Sequence, residues 1–178
     1  MQSGAIEAPG VSTRAASPRV AVTTSDAYEF TTAYSDLRTA AYRAAYRLLG
    51  DRAAAEDVSA EALTRAYVRW DSVAGHALPW VIRVASNLAL DLGRRRAREA
   101  VRRQPIDAAA QGTHMEARLD LQQAIASLPR RQREVVVLRF LGDLSEQATA
   151  DALGIDAGTV KSHTSRGLSR LRQTVERV

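Results

Sequence analysis

Residues 144–172 read LSEQATADALGIDAGTVKSHTSRGLSRLR, and the organisation of the whole chain can be worked out from them. Ser145 is a favourable N-cap, and the helix it starts runs through Leu153 until Gly154 breaks it. A longer helix follows from about Ala157 to Val175. Val160, Thr164, Leu168 and Leu171 fall on one face of it, suited to packing, and Lys161, Ser162, Ser165, Arg166 and Arg170 fall on another. A short helix, a glycine turn and a basic second helix have the layout of a helix-turn-helix. Such a second helix enters the major groove, reads base edges with its N-terminal half and holds phosphates with flanking basic groups. Thr159 and His163 belong to the same exposed half, His163 either as a phosphate contact or as a plain surface histidine. Ala157 and Gly158 leave the helix start unobstructed, so its free amides can approach a phosphate. The competing reading is an antiparallel helical hairpin with a wet basic face.

Working upstream, Gln132 to Leu141 is a short, strongly apolar helix, and Gly142 with Asp143 turns the chain into Ser145. Leu119, Leu121, Ile125 and Leu128 mark another helix, stopped at Pro129. Residues 104–115 contain Pro and Gly without an apolar period and read as a flexible linker between two small domains. Ahead of it, Phe30, Tyr34, Leu37, Ala41, Ala44 and Leu48 recur at spacings of four and three, one stripe of a long helix capped at Ser25 or Asp26 and ended by Gly50. A second helix from about Arg52 to Trp70 buries Val58, Ala62, Leu63, Ala66, Tyr67 and Trp70. After an irregular segment from Asp71 to Leu78, a third begins at Pro79 and buries Val81, Val84, Ala85, Leu88 and Leu92. Strand-like alternation is absent, so the fold class is all-α. Residues 1–25 are rich in Ala, Ser, Thr, Pro and Gly and read as a disordered tail.

Charge is unevenly spread. The 178 residues carry +5 overall, but residues 93–103 alone carry +5 from six Arg and one Glu, and residues 157–178 carry +4. The bodies between them are mildly acidic, −2 over residues 26–92 and −3 over residues 104–156. Two basic blocks point to two contacts with a polyanion, or else to solvated helix ends. The chain has no cysteine, which excludes disulfides, thiolate metal sites and a catalytic thiol. No apolar run approaches the ~20 residues of a membrane span, and Met1 to Thr24 lacks the pattern of a secretion signal, so a cytoplasmic protein is expected. His76, His114 and His163 are scattered, and there is no phosphate loop, so neither an enzyme nor a cofactor is expected.

Taken together, LPRRQREVVVLRFLGDLS at 128–145, ALGI at 152–155 and GTVKSHTSRGLSRLR at 158–172 resemble region four of the sigma factors of RNA polymerase. AEDVSAEALTRAYVRW at 55–70 and PWVIRVASNLALDLGRRRAR at 79–98 resemble region two. The order and the linker match the extracytoplasmic-function group of the sigma-70 family, SigE-like and of the actinobacterial type, which keeps these two regions alone. The resemblance implies a region-two bundle over residues 26–103 that docks on the clamp helices of core RNA polymerase and melts the −10 element of promoter DNA. It implies a region-four helix-turn-helix over residues 116–178 that docks on the polymerase flap and reads the −35 element. Many relatives are held inactive by an anti-sigma factor, a possible partner here too.

The resemblance assigns roles residue by residue. Glu56, Asp57 and Glu61 would dock on the clamp, although as a bare pattern they equally describe a solvated face with a Glu61–Arg65 pair. Ala60 stands where the family usually has Gln, which removes one polar contact. Asn87 and Asp91 would meet the −10 strand and Arg94, Arg95, Arg96 and Arg98 its phosphates, unless Asp91 instead orients Arg94 or Arg95. Roughly five phosphate contacts would change affinity about 500-fold between about 50 and 200 mM salt. Ser72, Gly75 and His76 fall in the loop that captures a flipped base in this family. Trp70 and Trp80 are either stacking platforms or core. Glu146, Gln147, Ala148 and Thr149 depart from the usual aromatic-then-acidic run, Thr149 and Thr164 put hydroxyls at packing positions, and Ser165 replaces a larger residue. The alternative function is a free-standing helix-turn-helix regulator whose N-terminal helices bind a ligand or dimerise.

Overall fold

Thr23 starts the first helix. Its side-chain oxygen accepts the Asp26 amide at 3.2 Å, and the Asp26 carboxylate accepts the Thr23 amide at 2.9 Å, a reciprocal capping box. The cap expected at Ser25 or Asp26 therefore lies at Thr23, with Asp26 as its partner. The computed structural model describes residues 23–102 and 112–175. Most of the tail expected over residues 1–25, and most of the linker expected over residues 104–115, lie outside the described residues.

Helix α1 (Thr24–Leu49) ends at Gly50, whose φ of +65° is the left-handed conformation that closes a helix without a Cβ clash. Helix α2 (Arg52–Val68) is capped by Asp51. The segment expected to be irregular is helical: α3 (Trp70–Val73) and a single 3₁₀ turn, Ala74–His76, lead into α4 (Ala77–Arg102). Trp70 and Val73, three apart and both buried, hold that turn against the core. Pro79 sits third in α4, where its missing N–H costs nothing because first-turn amides have no acceptor within the helix. α1 lies against α2 and α4, and the contact layer is rich in alanine (Ala41, Ala44, Ala45, Ala55, Ala62, Ala85, Ala89), which lets helices approach closely. Tyr67, expected in the core, is 37% exposed, and Val84, Leu88 and Leu92 are half-buried.

The second unit holds α5 (Gly112–Ser127), α6 (Arg130–Val136), α7 (Glu146–Leu153) and α8 (Ala157–Val175). The apolar helix expected from Gln132 to Leu141 widens at Val137–Leu141 into a π-type turn, and the Gly142 amide reaches back to the Val137 carbonyl at 3.0 Å. α8 packs on α5, α6 and α7 through Val160 and Gly167. Leu168, expected on this packing face, is 38% exposed, and Leu121 of α5 is exposed as well. No strand occurs among the described residues, and the expected all-α architecture of two small helical domains is observed. No described helix is long and apolar enough to cross a membrane.

Candidate nucleic-acid and polymerase interfaces

The turn between α7 and α8 is built from backbone and cap bonds. Ser145 Oγ accepts the Ala148 amide at 3.0 Å at the start of α7, and Gly154 ends it at φ +62°. Asp156 then caps α8, with its carboxylate accepting the Thr159 amide at 2.8 Å and the Thr159 hydroxyl at 2.6 Å. Those two bonds hold the Asp156 carboxyl below its ordinary range. The helix start expected to offer free amides to a phosphate is therefore capped by a carboxylate of its own chain, and Thr159 spends its hydroxyl there.

Beyond the cap, the exposed face of α8 presents Lys161, Ser165, Arg166 and Arg170. Spacing of four aligns Lys161 with Ser165 and Arg166 with Arg170, and the two pairs together spread over the half of the helix turned away from buried Val160 and Gly167. Ser162 is half-buried. His163 is half-buried too, with its Nδ1 enclosed and without a hydrogen-bond partner, so it is neither a free surface group nor splayed toward solvent. The opposite face is closely packed. A Cβ on Gly167 would lie 2.8 Å from Val136 Cγ2, so α8 sits directly on α6.

In the first unit the basic end of α4 is only partly free. Asn87 and Asp91 are exposed, and Asp91 pairs with Arg94 on the next turn, the orienting arrangement that sequence alone left open. Arg98 Nε donates to the Arg94 carbonyl at 3.2 Å, and Arg95 is exposed. Arg96 turns away from them, with its guanidinium 3.0 Å from Asp51 Oδ2. Ser72, Gly75 and His76 are all exposed on the α3 and 3₁₀ turns; the Ser72 hydroxyl donates to the Arg69 carbonyl at 2.9 Å, and nothing lies over Gly75. Trp70, only 4% exposed, meets Phe30 edge-on at 5.2 Å, and Trp80 is half-buried against the core, so both indoles are packing groups.

Glu56, Asp57 and Glu61 line up on the exposed side of α2, with Glu61 paired to Arg65 at 2.8 Å. Asp57 and Glu61 face Asp91 and Arg95 of α4 across a cleft of about 340 Å³. A second cleft, about 270 Å³ and mostly apolar, lies on the other side of α2 between Phe30, Tyr34 and Tyr67, with Ala60 at its edge. Sequence reading placed Tyr67 in the core and so missed this cleft. The available signal was two aromatics one turn apart on α1, Phe30 and Tyr34, more than a buried stripe needs.

Residues 33–99 match sigma-70 region 2, and residues 118–171 match sigma-70, region 4. The RNA polymerase sigma-E factor of Streptomyces avermitilis is 38% identical over 139 residues, covering 75% of this chain and 78% of that protein. The chain belongs to the sigma-70 family. Its relatives also include the ECF RNA polymerase sigma factor SigW of Bacillus subtilis, 32% identical over 155 residues with 74% of this chain and 81% of that protein covered. Among solved structures, the sigma factor RpoE in complex with the anti-sigma factor NepR, from Bartonella quintana, is 24% identical with a TM-score of 0.48, covering 83% of this chain and 97% of that one. This sigma factor is of the extracytoplasmic-function type and directs core RNA polymerase to promoters to initiate transcription. The alternative of a free-standing regulator is not supported, because the first unit is region 2 and not a ligand or dimer domain.

Proposed function

We propose a division of labour within the sigma factor. α8 reads the −35 element through Lys161, Ser165, Arg166 and Arg170, with Ser162, His163 and Thr159 shaping the surface they stand on. α4 engages the −10 strand with Asn87 and Asp91 and holds its phosphates with Arg94, Arg95 and Arg98, while Ser72, Gly75 and His76 form the edge where a base is extruded. Glu56, Asp57 and Glu61 dock the clamp helices, and the aromatic cleft beside Ala60 supplies apolar contact where relatives use a glutamine. Residues 26–103 and 116–178 act as two modules joined by residues 104–115. The protein acts in the cytoplasm without catalysis or cofactor of its own. An anti-sigma factor is a fitting partner, since the RpoE structure holds one.

The observation that carries this reading is the segregation on α8: four polar or basic side chains are exposed on one face, while Val160 and Gly167 are buried on the other. The test is binding to bacterial core polymerase followed by run-off transcription from genomic fragments. New promoter-specific transcripts are expected, with start sites that reveal both elements. Specific duplex binding by the free protein without any core binding would overturn it.

A further inference from the structure

Three arginines that have no part in the proposed promoter contacts converge on one cleft. It encloses about 210 Å³ and is lined by Arg83 and Asn87 of α4 on one side and by Arg130, Arg133, Glu134 and Val137 on the other. Arg83 is half-buried and, among the described residues, has neither an ion pair nor a hydrogen-bond acceptor. Arg130 spends its Nε on Glu134 Oε1 at 3.1 Å, and Arg133 spends one Nη on the Ala126 carbonyl at 2.9 Å. A guanidinium carries five N–H donors, so most of those in the cleft remain uncommitted.

The one carboxylate in the lining does not balance them. Glu134 is engaged on both oxygens, Oε1 by Arg130 and Oε2 by Arg131, each at 3.1 Å. Its side chain is only 13% exposed, so solvent ions screen it less than a surface group. Three guanidiniums against one carboxylate leave the lining with a net charge of +2. Positive groups gathered in a half-enclosed space repel one another, and an anion set between them replaces that repulsion with attraction. Guanidinium forks match phosphate oxygens in bidentate pairs, which gives geometric preference as well as charge.

Size narrows the ligand. The cleft falls below the roughly 300–1,000 Å³ of pockets that enclose a drug-sized molecule, so it admits a compact polyanion and leaves any attached nucleoside outside. Arg83 on α4 and Arg130 and Arg133 on α6 approach from two sides, which suits an anion with two charged centres. We propose that this cleft is a diphosphate-binding site, with one phosphate held by Arg83 and Asn87 and the other by Arg130 and Arg133. The diphosphate is either free or the end of a nucleotide, since both present the same oxygens. The site goes beyond the sigma reading and does not depend on it.

Isothermal titration calorimetry on the full-length protein tests this with sodium pyrophosphate, ADP and sodium sulfate at matched ionic strength. Pyrophosphate should bind one to one. Arg83→Gln and Arg130→Gln should each weaken it by about tenfold or more, the scale of a hydrogen bond to a charged group. Arg38→Gln, at an exposed position of α1 outside the cleft, makes the same change in charge and should leave binding as it was. ADP as tight as pyrophosphate would make nucleotides the source, and ADP about tenfold weaker would make it free diphosphate; either result supports the site. No binding of pyrophosphate at millimolar concentration would overturn it, as would sulfate binding equally tightly or an equal loss in all three variants. Circular dichroism melts report whether the variants fold. Should Arg83→Gln unfold, Arg130→Gln decides alone, because that side chain is 78% exposed.

Discussion

Arg96 of α4 and Asp51, the N-cap of α2, meet at 3.0 Å, which draws one guanidinium out of the block of six arginines over residues 93–103. Asp51 serves two partners: Oδ1 accepts the Ala54 amide at 3.2 Å while Oδ2 accepts Arg96. A charge count along α4 treats these arginines alike, and the fold does not.

Arg96→Ala should lower stability modestly, by no more than ~1 kcal/mol because both partners are well exposed, and leave the salt dependence of promoter binding unchanged. Arg95→Ala and Arg98→Ala should do the opposite. With Arg96 engaged elsewhere, three phosphate contacts remain, those of Arg94, Arg95 and Arg98, and affinity for a single strand should fall roughly 20-fold between about 50 and 200 mM salt. Anisotropy titrations of holoenzyme on a −10 strand measure this, and a drop near 50-fold would return Arg96 to the DNA.

The Ala54 amide, and after it the Arg96 guanidinium, hold the Asp51 carboxyl below its ordinary value. A lowered folded-state pKa contributes stability that is present above the unfolded value, near about 3.9, and is lost as pH falls through the folded one. The melting temperature of wild type should therefore drop in this acid window more steeply than that of Asp51→Asn, which still caps but does not titrate. The two curves should be furthest apart at neutral pH and converge in acid. Parallel curves would mean that Asp51 is not a source of acid sensitivity.

Thr149 is fully buried, and its hydroxyl has no hydrogen-bond partner. Thr149→Val keeps the shape and removes the stranded hydroxyl, so it should stabilise the protein by about 1 kcal/mol. A rise in urea midpoint without a change in slope is the expected reading. A fall would reveal a partner for the hydroxyl.

Arg166 is exposed on the basic face of α8. Arg166→Ala should weaken −35 binding by ~1–3 kcal/mol, with specificity relaxed at one base position, if the side chain reads a base edge. Equal loss on every −35 sequence, with a shallower salt slope, would assign it to a phosphate instead.

Much of this was legible in the sequence because the relevant forces act within a turn or two. Ser145, Gly154 and the stripe from Val160 to Leu171 announce the helix-turn-helix through caps and periodicity, each set by near neighbours. The same locality explains the misses. Thr23 and Asp26 share a capping box, so a reading that looked for one cap residue settled two or three residues late. Asp156 carries no signal in the apolar spacing, although its carboxylate closes the start of α8. Tyr67 has the spacing of a core residue on α2, and whether that position is covered depends on where α1 places Phe30 and Tyr34.

The chain by itself determined the helices, their capped ends, the two regions and their order, because each depends on side-chain periodicity and backbone bonds among residues close in sequence. The tertiary structure decided which of equivalent groups are free. Arg96 is claimed by Asp51, Gln122 by Leu48 and Arg47 by Asp143, partners 45, 74 and 96 residues apart. No pattern of residue spacing encodes such pairs. They follow from helix packing, which brings a bare helix end, a glycine gap and a long polar side chain to the same place.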